Sequence, residues 1–227
     1  MMLPSGVTTK PRPTVTEARI GTDESGKGDY FGPLVVAAVC VRGRDDEKTL
    51  AAMGVRDSKT LADGKVAALA ERIRHDFTAA VVAIGPARYN DLYARIGNLN
   101  RLLAWGHARA LEDLLTACPT VEFAVTDKFG DESYVERALM ERGRRITLIQ
   151  KVRGEEDLAV AAASIVARAG FLERLARLAV RAGMPLPKGA GAPVEAAARS
   201  FARERGLEAL HEVAKVHFKI TARLGVG

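Results

Sequence analysis

Cysteine is nearly absent. Cys40 and Cys118 are the only two in 227 residues, without a CxxC pair or the Cys/His spacing of a zinc site, so neither a disulfide framework nor a zinc module organises the fold. A reducing cytoplasm is the natural setting for such a chain. Histidine is almost as scarce, at four residues, and no His/Cys cluster offers the soft or borderline ligands that zinc chemistry uses. The longest apolar stretch, residues 34–41, is far too short to cross a bilayer, and the N-terminus carries no apolar segment of the secretory kind. Membrane insertion and secretion are therefore not expected. There is no internal repeat and no low-complexity tract.

What is present is the composition of an ordinary globular protein, 48% hydrophobic and 27% charged. The length suits one large domain, or one domain with a helical appendage. A formal net charge of +6 makes a polyanionic partner plausible, because Lys and Arg neutralise phosphates, but many basic proteins bind no nucleic acid. Residues 1–17, rich in Pro, Thr and Lys without periodicity, read as a flexible leader. Ordered structure is expected over 18–227, with strands at 18–22, 34–41 and 79–84 and a helix at 64–76. Further on, a helix at 98–117, a strand at 121–126, a helix at 133–142, a strand at 145–151 and a long helix at 155–180 are predicted. A Pro/Gly turn at 184–193 precedes two further short helices. Strands followed by strand–helix alternation imply an α/β protein with one mixed sheet and helices packed on it.

Asp23 and Glu24 follow the first predicted strand and precede Ser25-Gly26-Lys27-Gly28-Asp29. A strand can hold an acid rigidly there, while glycines let backbone N–H groups approach a phosphate or sugar. The pattern is neither a Walker loop nor a dinucleotide fingerprint, and an ordinary turn with a capping Asp is the bland alternative. Asp127 repeats the arrangement at the end of another apolar run, at the strand edge where α/β proteins gather ligands; alone, it reads sooner as a turn or N-cap residue, and the pairing with Asp23 turns that reading around. Glu155, Glu156 and Asp157 open the long predicted helix, where acids also simply complement the helix dipole. Three separated acidic positions match what hard divalent cations need, oxygen ligands with room left for water and phosphate.

The run from Gly21 to Pro33, GTDESGKGDYFGP, resembles the opening motif of type 2 ribonucleases H, and Asp29-Tyr30-Phe31-Gly32-Pro33 looks like the HIII version. Further matches follow in the family's order: Asp57-Ser58-Lys59, Thr126-Asp127-Lys128-Phe129-Gly130, residues 159–168, Leu186-Pro187-Lys188-Gly189-Ala190-Gly191 and Ala214-Lys215-Val216-His217-Phe218-Lys219. The likeness covers nearly everything between Ile20 and Thr221. It implies a ribonuclease H-like fold with a five-stranded mixed sheet and a C-terminal helical extension. The implied activity is endonucleolytic cleavage of the RNA strand of RNA–DNA hybrids with two Mg²⁺ or Mn²⁺ ions, leaving 5′-phosphate and 3′-hydroxyl ends. Asp23, Glu24, Asp127 and Glu155 are the implied catalytic and metal-binding acids, with Glu156 an alternative fourth acid and Asp157 a weaker one. The resemblance also implies that the backbone of Gly26, Lys27 and Gly28 senses the 2′-hydroxyl, the group that distinguishes RNA locally. Lys59, Ser164, Arg168 and Lys188 are candidates for substrate contacts, against the bland readings of a solvated cation or a helix-buried Ser.

Tyr30 and Phe31 are expected to pack beneath the loop, and Asp57 to anchor the loop that presents Lys59. His217 is expected to be structural; His75, His107 and His211 lie on helical segments and receive no role. HIII enzymes commonly carry an N-terminal domain of the TATA-binding-protein type, which the leader is too short to form, so hybrid affinity is expected to come from the catalytic domain itself or to be weaker. No protein partner is evident, and a cytoplasmic monomer is expected. An HII-like enzyme incising at single ribonucleotides in duplex DNA is the nearest rival. A non-catalytic hybrid binder is the more distant one, since carboxylates facing phosphates without metal would repel them.

Overall fold

The computed structural model describes residues 18–56, 58 and 61–225. The leader at 1–17, Asp57 and Lys59 lie outside the described residues. The unbroken apolar run forms strand β2 (Leu34–Val41), buried throughout, as expected of a strand covered on both faces. It lies between β1 (Arg19–Ser25) and β3 (Ala79–Ile84), antiparallel to each. β4 (Phe123–Asp127) and β5 (Thr147–Lys151) continue the sheet parallel to β1, giving the order β3-β2-β1-β4-β5. The expected five-stranded mixed sheet is present.

Helices α1 (Arg44–Ala52) and α2 (Asp63–Asp76) connect β2 to β3, and α3 (Pro86–Ile96) and α4 (Leu99–Ala117) connect β3 to β4. α5 (Ser133–Ala138) precedes β5, and α6 (Leu158–Ala182), α7 (Ala192–Arg205) and α8 (Lys219–Leu224) follow it. Strand periodicity divides the core into two layers. Val36, Ala38 and Cys40 of β2 meet Ala108, Leu111, Leu114 and Leu115 of α4. On the other face, Val35, Ala37, Val39 and Val41 join the cluster containing Val66 and Ile73 of α2 and the small residues of α6. Phe201 of α7 and Ile220 of α8 belong to that second cluster. Gly21 sets the spacing between β1 and α6: a Cβ there would lie 2.1 Å from the Ala159 carbonyl carbon, so glycine alone permits this approach.

Several boundaries differ from expectation, each for a local reason. β1 does not end at 22 but runs through the acids, because its ladder with β2 continues in the pairs Asp23↔Ala37, Glu24↔Val36 and Ser25↔Val35. α6 does not begin at Glu155. Arg153 takes a left-handed conformation, Gly154–Glu156 form a 3₁₀ turn, and Asp157 caps α6 by accepting from the Ala159 N–H at 2.9 Å. The helix expected at 133–142 stops at Ala138, and the Glu112 carboxylate instead takes the backbone N–H groups of Arg142 and Gly143 at 2.9 and 3.0 Å. α1 and α3 were not anticipated. α1 buries only Glu47 and Leu50, too few for a visible stripe, whereas α3 carries the Pro start and left-handed Gly97 stop of a short helix.

Candidate active site

Parallel pairing of β1 with β4 aligns Thr22 with Thr126. Asp23 and Asp127 are therefore the next residues on adjacent strands, which run about 4.8 Å apart. Alternation then fixes which way each side chain goes. Thr22 and Thr126 project toward α4, where their hydroxyls lie 2.9 and 3.3 Å from Nδ1 of His107. Glu24 returns to that same side, with Oε2 3.1 Å from Nε2 of His107. Asp23 projects to the α6 side, where Ser164 lines the same cleft. The Asp127 carboxylate accepts the Gly154 N–H at 2.9 Å, and a Cβ on Gly154 would lie 2.8 Å from the Asp127 Cα. This close approach brings the 3₁₀ turn carrying Glu155 up to the end of β4.

One cleft of about 370 Å³ results, lined by Asp23, Glu24, Gly26, Lys27, Gly28, Asp127, Glu155, Ser164 and Arg168 among others. The electrostatics are those of crowded acids. Burial, then repulsion from Glu24, pushes the Asp23 carboxyl up to about 7. Burial also acts against ionised Glu24, but the hydrogen bond from His107, with the charge of Lys27, holds it below the ordinary carboxylate range. Lys27 Nζ is 3.6 Å from Glu24 Oε1 and lies over the Phe129 ring, 5.6 Å from its centroid.

The loop on the rim is built for backbone access. Gly26 has φ +89°, and a Cβ on it would lie 2.2 Å from the Pro33 carbonyl oxygen; a Cβ on Gly28 would meet nothing within 4 Å. Residues far along the chain hold this loop from behind. Gly189 N–H donates to Asp29 Oδ1 at 2.6 Å, and fully buried Lys215 donates from Nζ to the carbonyls of Asp29 and Gly32 at 2.7 and 2.8 Å. Burial lowers the Lys215 ammonium to about 7. Tyr30 and Phe31 are fully buried, as expected. His217 stacks on Tyr93, with centroids 4.1 Å apart, in a packing role.

Of the substrate-contact candidates, Ser164 Oγ lies 2.6 Å from Ser58 Oγ. Arg168 hydrogen-bonds the Ser58 carbonyl and pairs with Asp63 at 2.6 Å. Lys188 does not line the cleft; it reaches the same Asp63 carboxylate, also at 2.6 Å. Asp157 is turned away into the buried pair with Arg19 at 2.9 Å. The residue that sequence reading passed over is His107. Its signal was available: it is four residues from both Leu103 and Leu111 on the buried stripe of α4, and a buried polar residue is informative where a buried leucine is not.

Among the described residues, no three His, Cys, Asp or Glu side chains enclose a metal position unaided. The donor set nevertheless fits a hard divalent cation, since the acids lining the cleft offer oxygen only. Mg²⁺ typically takes one or two carboxylates and completes its shell with water and phosphate. The Asp23–Glu24 repulsion is what a bound cation would relieve.

The sheet and its acid-lined end define a ribonuclease H-type hydrolase, and comparison with known proteins agrees. A family model for Ribonuclease HII matches residues 20–221. Ribonuclease HIII of Chlamydia pneumoniae is 45% identical over 202 residues, 88% of this chain and 68% of that protein; the chain spans about two thirds of the length of such curated relatives. The crystal structure of Bst-RNase HIII in complex with Mn²⁺ superposes with a TM-score of 0.85 at 37% identity, over 92% of this chain and 69% of that one. A chain of the PCNA:RNase HII complex from Archaeoglobus fulgidus gives 0.73 at 26%, over 91% and 96%. The chain belongs to the type 2 ribonuclease H family.

Proposed function

We propose that residues 18–227 act as one catalytic unit that hydrolyses the RNA strand of RNA–DNA hybrids, as a cytoplasmic monomer. The observation that supports this best is the convergence of Asp23, Glu24, Asp127 and Glu155 on one cleft whose rim is the accessible backbone at Gly26 to Gly28. In this reading the four acids hold two Mg²⁺ or Mn²⁺ ions, which supply an activated water and charge stabilisation at the leaving 3′-oxygen. Mn²⁺ accompanies the Bst-RNase HIII relative. Asp23, Glu24 and Asp127 would hold the ions from the ends of β1 and β4, and Glu155 would be the fourth acid. The Gly26–Gly28 backbone reads the 2′-hydroxyl, and Ser164 and Arg168 face the adjoining phosphates. Lys188 extends that contact beyond the cleft.

A labelled hybrid incubated with Mg²⁺, Mn²⁺ or EDTA tests the reading. Metal-dependent cuts ending in 5′-phosphate are expected from the wild type. Asp23→Asn should lose turnover while retaining hybrid binding; full metal-dependent activity in that variant would sink the assignment. A duplex with one ribonucleotide should be cut more slowly than the continuous hybrid. The Ribonuclease HII family match favours a second reading, incision at single ribonucleotides, which the opposite ranking would establish.

A further inference from the structure

His107 has no exposed surface and sits between α4 and the two strands that end in acids. Ionised Glu24 can only accept, so the 3.1 Å contact requires the hydrogen to be on Nε2. Nδ1 is then an acceptor, and the threonines immediately preceding Asp23 and Asp127 both converge on it. The Thr126 hydroxyl also lies 3.3 Å from the Asp127 carbonyl, which leaves the shorter Thr22 contact as the donor to the ring. Phe129 stacks on the imidazole at 5.0 Å and 24°, so its rotation is blocked as well. One side chain thus fastens the ends of β1 and β4 together and holds Glu24 by a single oxygen. The other, Oε1, is on the Lys27 side at the cleft.

We propose that His107 is a positioning residue: it fixes Glu24 by Oε2 and locks the Thr22–Thr126 register, so that Oε1 is presented to a divalent cation in the cleft. The proposal rests on the reading of Glu24 as a metal-binding acid. A carboxylate held this way loses less freedom when a cation binds, the usual effect of an outer hydrogen-bonding partner on a ligand.

Glutamine and asparagine separate the two ring nitrogens. The His107→Gln amide nitrogen reaches the place of Nε2 and can still donate to Glu24, whereas His107→Asn reaches only the place of Nδ1. In His107→Asn, calorimetric Mn²⁺ affinity of the metal-free protein should weaken about 10–100-fold. The kcat on a labelled hybrid should fall comparably, with KM little changed. His107→Gln should recover both to within about fivefold, at melting temperatures matched to the asparagine variant. Equal losses in the two variants, or wild-type Mn²⁺ affinity in His107→Asn, would overturn the proposal. ¹⁵N-histidine spectra of the wild type decide it without any variant: an Nε2–H ring whose signal moves on adding Mg²⁺ supports it, and an Nδ1–H ring overturns it. If the wild type cut no hybrid with any ion, the enzymatic reading would fail, while Mn²⁺ affinity and tautomer would still judge His107.

Discussion

Replacing Asp23 with asparagine should make the metal-free protein more stable while making it inactive. The carboxyl is raised from the ordinary 3.8 to about 7 by burial and by Glu24. A group raised on folding costs nothing below its unfolded value and its full amount above its folded value, so wild-type stability should decline between about pH 4 and 7. At about 1.4 kcal/mol per pH unit, the ceiling is about 4 kcal/mol. Asp23 is only partly buried and lines the cleft, and about 2 kcal/mol is the expected gain for Asp23→Asn at pH 8 after screening. The amide oxygen can still accept the Glu24 N–H, which Asp23 Oδ1 now does at 2.8 Å. Urea denaturation in EDTA at pH 8 and pH 4 reads the difference directly. Excess Mg²⁺ should narrow it at pH 8 by stabilising only the wild type. A gain of the same size at both pH values, or none at pH 8, would refute the electrostatic argument.

Gly21→Ala should cost more than the usual ~1–3 kcal/mol of overpacking, because the new Cβ meets the Ala159 backbone at 2.1 Å rather than a movable side chain; an unchanged melting temperature would contradict the close approach of α6 to β1. Arg168→Ala and Lys188→Ala should each raise KM for hybrid and reduce the salt dependence of binding by about one ion. Unchanged salt slopes would show that these cations serve only Asp63.

Asp23 and Asp127 could be placed at one sheet edge from sequence because each terminates an apolar run, and strand ends gather ligands whatever the fold. The surroundings of Glu155 could not. Its neighbours read as the first turn of a continuous helix, and only the Gly154 N–H bonding across to Asp127, with Arg153 left-handed, turns that stretch into a separate 3₁₀ step. His107 escaped for a different reason. Helical periodicity assigns it to the buried face, but its partners Thr22, Glu24 and Thr126 come from two other strands, and no local pattern encodes a contact between residues 83 positions apart. The ends of α5 and the start of α6 were misjudged for the same cause, tertiary hydrogen bonds overriding good local propensity.

Lys215 gives the molecule an order of completion. The glycine loop near the start of the fold is buckled from behind by an ammonium group almost two hundred residues later, through the carbonyls of Asp29 and Gly32. During synthesis the residues of β1 and β4 are joined to the chain long before Lys215 is added. The loop at Gly26 to Gly28, although it stands near the start of the fold, therefore gains its rear support only once the chain extends past residue 215.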